Sequence, residues 1–471
     1  MQDSATESID PPLAQLLRRA PVACAPEETV AQALRTMREL AIGSMIVVDP
    51  DRVPLGILTL RDVVDRVVLE PGMLDAPIAR VMTPRPVTLP LGATAYGGAL
   101  AMIRHGVRHI VLVDGGRLAG VISERDLFGL QSTGIRHLSV AIRGAEDLPA
   151  IERFGRDIGD LGRKMIAQGV AVGPLTAFIA SLNDLLTQRI VELEFRSVTA
   201  RFCWILMGSE GRSEQTLLTD QDNGIIFAPP AGAGAAEIRE SLLPLARRVN
   251  QALDRAGYKL CPGDIMAGNP LWCLTDDEWR GKFERWIDSG NPEALLHGAI
   301  FFDLRPLHGD FALARELRRW LLEHASRSPR FLHQMAENAL KNRPPLGMLR
   351  DFSLGEDGCI DLKLNGATPF VDAARIFSLA RGIDETNTER RLRGAGPLLG
   401  MPAAETEASI AAFHHLQGQR LRRQAECLAR GEAPSNRIDP YRLHDFDRPA
   451  LKLAFEQAKR LQERLALDYQ L

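Results

Sequence analysis

Two aspartates, Asp220 and Asp222, stand one residue apart directly before the apolar run Ile225-Ile226-Phe227. On an extended chain, residues two apart point to the same face, so both carboxylates would lie side by side. Such a pair repels unless a cation lies between its members, and oxygen-only ligation favours Mg²⁺ or Mn²⁺. The spacing therefore predicts a divalent-metal site.

Gly208 and Ser209 interrupt the chain upstream of this pair, directly after an apolar run that ends at Met207. The run has the length of a buried strand, and the glycine permits a close approach of the backbone. Backbone N–H groups exposed at such a turn can bind phosphate oxygens. A phosphate-binding turn followed by a carboxylate pair is what metal-assisted phosphoryl or nucleotidyl transfer requires.

The composition of the whole chain limits the class of protein. Its 471 residues suggest about three or four domains, and 25% charged and 45% hydrophobic residues are ordinary for a soluble globular protein. A net charge of -3 argues against a dedicated nucleic-acid surface. The N-terminus lacks the features of a signal peptide, and no apolar run reaches the roughly 18 residues of a membrane span. Six scattered cysteines without CxxC spacing favour a reducing compartment. We therefore expect a cytoplasmic protein without nucleic-acid or membrane partners.

A repeat follows the first dozen residues, which we predict to be a flexible tail over 1–12. The string GILTLRD, beginning at Gly56, returns as GVISERD, beginning at Gly120. Each copy follows a helical segment and an apolar run closed by an aspartate. The order helix, strand, turn, strand, helix therefore occurs twice, and such self-similarity takes precedence over single motifs.

This repeat resembles a tandem pair of CBS domains, a Bateman module, over 13–133, with copies at 13–70 and 77–133. The resemblance rests on the pattern of glycine, two hydrophobic residues, Ser or Thr, and an aspartate three residues later. It implies a homodimer and an adenine nucleotide bound in the cleft between the repeats, where hydroxyl and carboxylate contact phosphate and ribose. The residues implied are Thr59, Asp62, Ser123 and Asp126. Alternatively, Thr59 and Ser123 are helix N-caps, since each has an acidic residue three positions on.

Residues 134–200 show helical periodicity. Two apolar series, from Leu148 to Met165 and from Leu175 to Leu193, step by three and four residues around Gly173-Pro174. Two amphipathic helices joined at this break are therefore predicted as a connector.

The central string GSEGRSEQTLLTDQDN resembles the nucleotidyltransferase superfamily of DNA polymerase β over 201–305. It is closer to the DUF294 domain found beside CBS pairs in bacteria, which is similar to the catalytic domain of the PII-protein uridylyltransferase. The resemblance implies that Gly208 and Ser209 bind the triphosphate and that Asp220 and Asp222 hold two Mg²⁺ ions. Arg212 would clamp a phosphate, and Glu214 is either a further site residue or the group that orients this arginine.

Such chemistry usually needs a third carboxylate, and two candidates exist. Asp264 follows the predicted strand Tyr258–Cys261, where the family places its third acid, and we favour it. Asp303, followed by Arg305, is the alternative, and is also a candidate for a structural ion pair.

Residues 306–471 are predicted to be helical and resemble the C-terminal domain that accompanies DUF294. Lys363 and Asp372 lie in its most distinctive part and could complete the nucleotide or acceptor site, but we favour a role in a connecting helix and do not assign them to the site. The single dipeptide His444-Asp445 does not supply the several spaced ligands of the hydrolase domain found in PII uridylyltransferases. We therefore do not expect this chain to reverse its own modification reaction.

The sequence thus predicts a multidomain α/β and α+β protein with a CBS pair, a polymerase-β-like core and helical flanking parts. We expect Mg²⁺- or Mn²⁺-dependent transfer of UMP or AMP from a nucleoside triphosphate to an acceptor such as a PII-like regulatory protein, under control of the CBS pair. One alternative is a nucleotide-sensing regulator without chemistry. A weaker alternative is a small-molecule nucleotidyltransferase of the antibiotic-modifying kind.

Overall fold

The computed structural model describes residues 12–17, 19–68, 70, 72–123, 126, 133–167, 169–289, 298, 300–347, 351–444 and 447–471. The chain forms two compact units, residues 1–137 and 138–471. No helix within the described ranges is long and apolar enough to cross a bilayer. The tail predicted at 1–12, apart from Pro12, and the helix predicted after Ser123, apart from Asp126, lie outside these ranges. So does Asp445 of the His-Asp dipeptide.

The N-terminal unit is built from two similar α/β halves. Its strands are β1 (Ala23–Cys24), β2 (Ser44–Val48), β3 (Pro54–Thr59), β4 (Thr83–Pro84), β5 (Thr88–Pro90), β6 (His109–Asp114) and β7 (Arg117–Ser123). Its α-helices are α1 (Val30–Glu39), α2 (Leu60–Val63) and α3 (Ala95–His105), and α4 (Thr133–Gly144) contains the division between the units. Shorter turns are Leu13–Leu16, Val64–Val68, Met73–Asp75 and Ile78–Arg80.

Each half contains one small sheet, with strand orders β1-β2-β3-β4 and β5-β6-β7. In both sheets an antiparallel hairpin pairs its first strand with a short parallel strand. The two hairpins pack on each other through a small apolar cluster made of Ile46, Ile57, Val111 and Leu118. The repeat predicted from the sequence is therefore a repeat of structure, and its alternating buried positions form the contact.

The first residue of each repeated motif is a glycine, and an apolar side chain from elsewhere in this unit packs directly against its Cα. A Cβ on Gly56 would lie 2.2 Å from Sδ of Met82, and one on Gly120 would lie 2.4 Å from Cδ2 of Leu17. Leu17 lies at the start of the first copy, yet it packs in the core of the second, as does the fully buried Leu13. The first residues of the first copy thus complete the core of the second.

The C-terminal unit contains the remaining elements. Its strands are β8 (Arg201–Leu206), β9 (Asn223–Ala228), β10 (Cys273–Thr275), β11 (Arg305–Gly309), β12 (Ile360–Asp361) and β13 (Arg437–Ile438). Its helices are α5 (Leu148–Ala167), α6 (Val172–Glu194), α7 (Gly208–Gly211), α8 (Ala235–Arg255), α9 (Asp276–Ser289), α10 (Phe311–Ser326), α11 (Pro329–Ala339), α12 (Thr368–Ala380), α13 (Thr388–Leu398), α14 (Ala403–Ala429) and α15 (Asp447–Tyr469). Shorter turns are Pro270–Trp272, Leu362–Ala367 and Pro440–Arg442.

A mixed sheet of order β10-β9-β8-β11 forms the centre of this unit. β8 is antiparallel to both of its neighbours, and β10 is parallel to β9. β8 and β9 are continuous apolar runs because both of their faces are buried. The strand predicted at Tyr258–Cys261 is reduced to a single parallel bridge between Lys259 and Asp220.

One apolar core joins this sheet to the C-terminal helices. The same cluster of buried side chains includes Ile205 of β8, Phe370 of α12, Phe413 of α14 and Phe455 of α15. The predicted connector helices, observed as α5 and α6, pack on each other and on α8. Residues 138–471 therefore fold around one sheet rather than as a chain of separate parts.

Candidate active site

A cavity of about 310 Å³ opens beside the carboxylate pair. Asp220 and Asp222 line it together with Gly208, Ser209 and Arg212, so the structure brings these five predicted residues together. The C-terminal helical part supplies a further share of the lining: Lys363, Ala367, Thr368, Val371, Asp372, Arg375, Gln417 and Arg420. The site is therefore assembled from two distant stretches of the chain.

Gln221 explains why the two aspartates share the cavity. Its side chain is fully buried, and its Nε2 donates to the backbone oxygens of Asn250 and Tyr258 at 3.0 and 2.9 Å. With Gln221 anchored in the interior, the residues on either side of it face the cavity, as the two-residue alternation of an extended chain requires.

Gly208 follows the end of β8 and lies against Asp222, the residue directly before β9. Its φ is +53°, and a Cβ at this position would lie 2.2 Å from Oδ2 of Asp222. The N–H of Met207 donates to the backbone oxygen of Asp222 at 2.8 Å. Two features therefore favour glycine at position 208: the left-handed backbone, and the Asp222 carboxylate, which occupies the space of a Cβ.

Acidic groups are concentrated beneath the cavity. Burial raises the pKa of Asp222 to about 6, although the Cys261 thiol, which donates to its Oδ1 at 3.6 Å, and the Lys363 charge favour its ionised form. The buried Glu210 accepts from the Asp222 N–H at 3.3 Å, and burial together with the Asp222 charge raises the pKa of Glu210 well above its usual value. A cation bound here would stabilise both ionised forms.

Asp220 and Asp222 fit a hard divalent cation by their chemistry, since both offer carboxylate oxygens. Among the described residues, no group of three or more His, Cys, Asp or Glu side chains is placed to hold a metal ion. Two carboxylates are enough for Mg²⁺, which commonly completes its coordination with water and substrate phosphates.

Arg212 is held by two carboxylates. Its Nε donates to Glu214 at 2.9 Å, and its Nη1 donates to Asp303 at 2.5 Å. Glu214 in turn accepts from the N–H of Thr388 at 2.6 Å, at the start of α13. Glu214 thus orients the arginine, which was one of its two expected roles. The role of Arg212 as a phosphate clamp stays a prediction, although its charge is already balanced.

Asp303 is a fully buried carboxylate bound by three arginines. Besides Arg212, the Nε and Nη2 of Arg375 donate to it at 3.0 and 2.7 Å, and Nη1 of Arg391 donates at 2.6 Å. Burial alone would raise the pKa of Asp303, but the three guanidinium charges hold it well below its usual range. Arg305, the expected partner, pairs instead with Asp184 at 2.7 Å. Asp303 is thus a structural ion-pair centre.

Asp264, the favoured third carboxylate, lies outside the cavity lining. It is exposed at a φ of +52°, and its carboxylate accepts from Nδ2 of Asn269 at 2.9 Å. The backbone turns at Pro262-Gly263 directly after the Lys259 bridge, so Cys261 rather than Asp264 reaches Asp222.

Asp372 on α12 is a carboxylate that does line the cavity, and the sequence interpretation left it out. Arg375 donates to it at 2.7 Å, and burial raises its pKa despite this arginine. Lys363 was also assigned to a connecting helix and left out of the predicted site, whereas nothing in the sequence pointed to Arg420. The string IDLKLNGATPFVD was the available signal, but only the fold shows that it meets the carboxylate pair.

Gln424 on α14 secures the loop that precedes this pair. Its Oε1 accepts from the N–H groups of Leu217 and Leu218 at 3.0 and 3.3 Å, and its Nε2 donates to Asn436 at 2.7 Å. The backbone of the motif is therefore satisfied by a side chain from the helical part.

A second cavity, of about 600 Å³, lies in the N-terminal unit. Ser123 and Asp126 line it, together with Gly43, Ser44 and His109. Oγ of Ser123 donates to Oδ2 of Asp126 at 2.5 Å, while Oδ1 of Asp126 has no partner among the described residues. Burial lowers the pKa of His109, and the Asp126 charge opposes that shift. A polar ligand entering this cavity would meet a free carboxylate oxygen.

Thr59 and Asp62, the equivalent pair of the first repeat, do not line this cavity. Oδ2 of Asp62 accepts from the Thr59 hydroxyl at 2.6 Å, and its Oδ1 accepts from Thr83 at 3.1 Å and pairs with Arg66 at 3.3 Å. Thr59 is therefore the N-cap of α2 in the first copy, whereas in the second copy Ser123 and Asp126 make the same hydrogen bonds to each other and also line a cavity.

The mixed sheet, its glycine-serine turn and the carboxylate pair directly before the next strand define a nucleotidyltransferase-like α/β core. Residues 156–293 match the family described as "Putative nucleotidyltransferase DUF294", and residues 329–469 match the "Putative nucleotidyltransferase substrate binding domain". Residues 13–69 and 78–132 match the CBS domain. The chain thus belongs to the proteins that combine a CBS pair with DUF294 and its C-terminal companion. The DUF294 match begins inside α5, whereas the sequence analysis began this domain at residue 201.

The relatives found by sequence are similar to part of this chain. An uncharacterised protein of Methanopyrus kandleri is 31% identical over 119 residues, which is 25% of this chain and 61% of that protein. An uncharacterised 17.7 kDa protein of Acidianus ambivalens is 34% identical over 104 residues, which is 22% of this chain and 62% of that protein. The chain therefore spans less than two thirds of the length of these relatives.

Solved structures of CBS proteins resemble about a quarter of the chain. The CBS domain protein of Pyrobaculum aerophilum, complexed with AMP, is 27% identical and covers 26% of this chain and 94% of its own, with a TM-score of 0.24. The CBS-domain protein of Agrobacterium tumefaciens is 30% identical and covers 25% of this chain and 98% of its own, with a TM-score of 0.24.

Proposed function

We propose that this protein is a Mg²⁺- or Mn²⁺-dependent nucleotidyltransferase that moves a nucleoside monophosphate from a triphosphate to an acceptor hydroxyl. The observation that carries the proposal is the cavity in which Asp220 and Asp222 meet the Gly208-Ser209 turn. A carboxylate pair beside a glycine turn suits a metal-bound triphosphate.

The reaction requires one bond to form and one to break. The acceptor oxygen attacks the α-phosphorus, the bond from this phosphorus to the bridging oxygen breaks, and pyrophosphate leaves. Asp372, with its raised pKa, is the carboxylate of the cavity suited to take the acceptor's proton. When bound by Asp220 and Asp222, the metal would supply stabilisation of the charge that develops on the phosphates.

The resemblance to the PII-protein uridylyltransferase makes a regulatory protein the proposed acceptor, with UMP or AMP as the transferred group. The lining from α12 and α14 supports a role of the C-terminal part in substrate binding, which agrees with the substrate-binding family that residues 329–469 match.

Regulation is proposed at the N-terminal unit. The cavity beside Ser123 and Asp126 is large enough for an adenine nucleotide, and the free Oδ1 of Asp126 can accept from a ribose hydroxyl. The same cavity favours the second candidate function, a nucleotide-sensing regulator that carries out no chemistry.

A label-transfer assay decides between the two candidates. Purified protein is incubated with Mg²⁺, cell extract and each nucleoside triphosphate labelled at the α-phosphate, and transferred label is measured. We expect transfer by the wild type and a loss of at least about 100-fold in Asp220→Asn/Asp222→Asn. Asp264→Asn, an exposed aspartate outside the cavity, is the matched control and should transfer label normally. Equal labelling by the wild type and the double variant would exclude the nucleotidyltransferase and favour the regulator without chemistry.

A further inference from the structure

Arg420 lines the cavity with a buried guanidinium group. The side chains that accept its hydrogen bonds among the described residues are neutral amides. Arg420 extends from α14 with 7% of its surface exposed. Its Nε donates to Oδ1 of Asn436 at 3.2 Å, and its Nη1 donates to Oε1 of Gln417. Among the described residues, no carboxylate forms an ion pair with it, and no partner of Nη2 is found. Burial lowers the pKa of Arg420 to about 10, and the charges of Asp361 and Glu214, which form no ion pair with it, only partly oppose that shift.

The other buried arginines of this unit differ from Arg420 in that respect. Arg375 and Arg391 both pair with Asp303, and Arg318 pairs with Asp384. A buried cation without a counter-charge destabilises a fold. Its position beside an open cavity therefore indicates that an anionic ligand completes the ion pair.

Lys363 supplies a second unpaired cation to the same cavity. It lies in the Leu362–Ala367 turn, its side chain is exposed, and no ion pair of its ammonium group is found among the described residues. Its charge acts on Asp222, so the two groups are neighbours. Arg212 differs because Glu214 and Asp303 already neutralise it.

We propose that Arg420 and Lys363 form an anion subsite that binds the polyphosphate chain of the donor nucleotide. This proposal rests on the proposed function and deepens it, since it assigns the phosphate-binding cations to the C-terminal helical part. Arg212, the arginine of the signature string, has a positioning role toward Glu214 and Asp303. The carboxylate pair, through its metal, and the two cations would then bind the same charged ligand in one cavity.

Inorganic tripolyphosphate is the probe, because it carries the charge of the ligand without base, sugar or acceptor. The full-length protein is titrated with it by calorimetry in the presence of a chelator, so that no metal contributes. We expect Lys363→Gln and Arg420→Gln to bind at least about ten-fold more weakly than the wild type, as each removes one charge-assisted contact. Arg422→Gln, an exposed arginine on the same helix outside the cavity, should bind like the wild type. Unchanged affinity in both cavity variants would overturn the proposal.

Thermal denaturation separates a ligand role of Arg420 from a structural one. Removing an uncompensated buried charge should keep or raise the Tm of the ligand-free protein, while the rise in Tm caused by tripolyphosphate should disappear in Arg420→Gln. A large fall in ligand-free Tm in Arg420→Gln, together with wild-type affinity in Lys363→Gln, would show that Arg420 is structural and the subsite does not exist.

Two further arms identify the source of the anion. In the wild type, tripolyphosphate should compete with Mg²⁺-ATP or Mg²⁺-UTP, and both cavity variants should bind the nucleotide more weakly. If the cavity variants lose tripolyphosphate binding but bind the nucleotide normally, the subsite does not bind the donor. It would then bind an anionic group of the acceptor. Asp220→Asn/Asp222→Asn should keep or strengthen metal-free tripolyphosphate binding, so failure of the transfer chemistry and failure of the subsite give different results.

Discussion

The carboxylate of Asp222 fills the space that a side chain on Gly208 would need: its Oδ2 lies 2.2 Å from the position of a Cβ on residue 208. Gly208→Ala should therefore displace the Asp222 carboxylate and strain a backbone with a φ of +53°, at a cost of about 1–2 kcal/mol in the free energy of unfolding. We expect Mg²⁺-dependent nucleotide binding, measured by calorimetry, to fall at least about ten-fold.

Gly234→Ala is the matched control for that substitution, since residue 234 has open space around it and precedes a helix. Normal metal-dependent binding by Gly208→Ala would show that the carboxylate need not occupy its observed position.

Asp303→Asn should destabilise the C-terminal unit by about 3–5 kcal/mol, because it leaves three buried guanidinium groups without their shared counter-charge. Urea denaturation at pH 7 measures this, and Asp357→Asn, which breaks an exposed pair with Arg437, is the control expected to change little.

The pH dependence of the same difference follows from the depressed pKa of Asp303. A carboxylate whose folded pKa is lowered stabilises the fold above its unfolded pKa, about 3.9, and loses that contribution as the pH falls through the folded value. The gap between wild type and Asp303→Asn should thus be the same at pH 7 and pH 5. A gap that closes by pH 5 would contradict the three-arginine environment.

Asp372→Asn should lower the rate of label transfer by about 100-fold while leaving Mg²⁺-nucleotide affinity within about three-fold, since a general base acts on the acceptor rather than on donor binding. Transfer rates and calorimetry provide the two measurements, and Asp264→Asn again serves as the control. A loss of binding equal to the loss of rate would make Asp372 a structural partner of Arg375.

In the N-terminal unit, Asp126→Ala should abolish adenine-nucleotide binding, whereas Asp62→Ala should retain it. One oxygen of Asp126 has no partner among the residues that the structure describes and lies in a cavity, but both oxygens of Asp62 are already bound by neighbours. Titration with AMP, ADP and ATP tests the difference. Loss of binding in both variants to the same extent would indicate two equivalent sites.

Gly155 and Gly159 form a natural pair on α5. A Cβ on Gly155 would lie 2.1 Å from the backbone oxygen of Ala256, whereas one on Gly159 would lie 3.7 Å from a flexible arginine. Gly155→Ala should cost about 1–3 kcal/mol by overpacking, and Gly159→Ala should stabilise by up to about 1 kcal/mol through helix propensity. Thermal melts measure both. Equal melting temperatures would mean that α5 does not pack closely on Ala256.

The parts of the site that sequence could predict are local. Asp220, Asp222 and Gly208 lie within one strand-turn-strand stretch, so the alternation of an extended chain was enough to bring them together. The prediction for Asp264 placed it by chain order after the next strand, but the backbone turns away at Pro262-Gly263 before that residue. Asp372 and Arg420 lie far along the chain, and only tertiary packing of helices brings them to the cavity. Spacing carries no information on such contacts.

The reach of Gln424 from α14 to the backbone of Leu217 and Leu218, together with the common core of sheet and helices, has a genetic consequence. A gene segment that encodes the sheet alone would lack the residues of α12 and α14 that line the candidate site. It would also lack Gln424, so the N–H groups of Leu217 and Leu218 would lose their acceptor. Recombination can therefore exchange residues 138–471 only as a block. The N-terminal CBS unit, whose cores are its own, is the part that evolution or an engineer can replace.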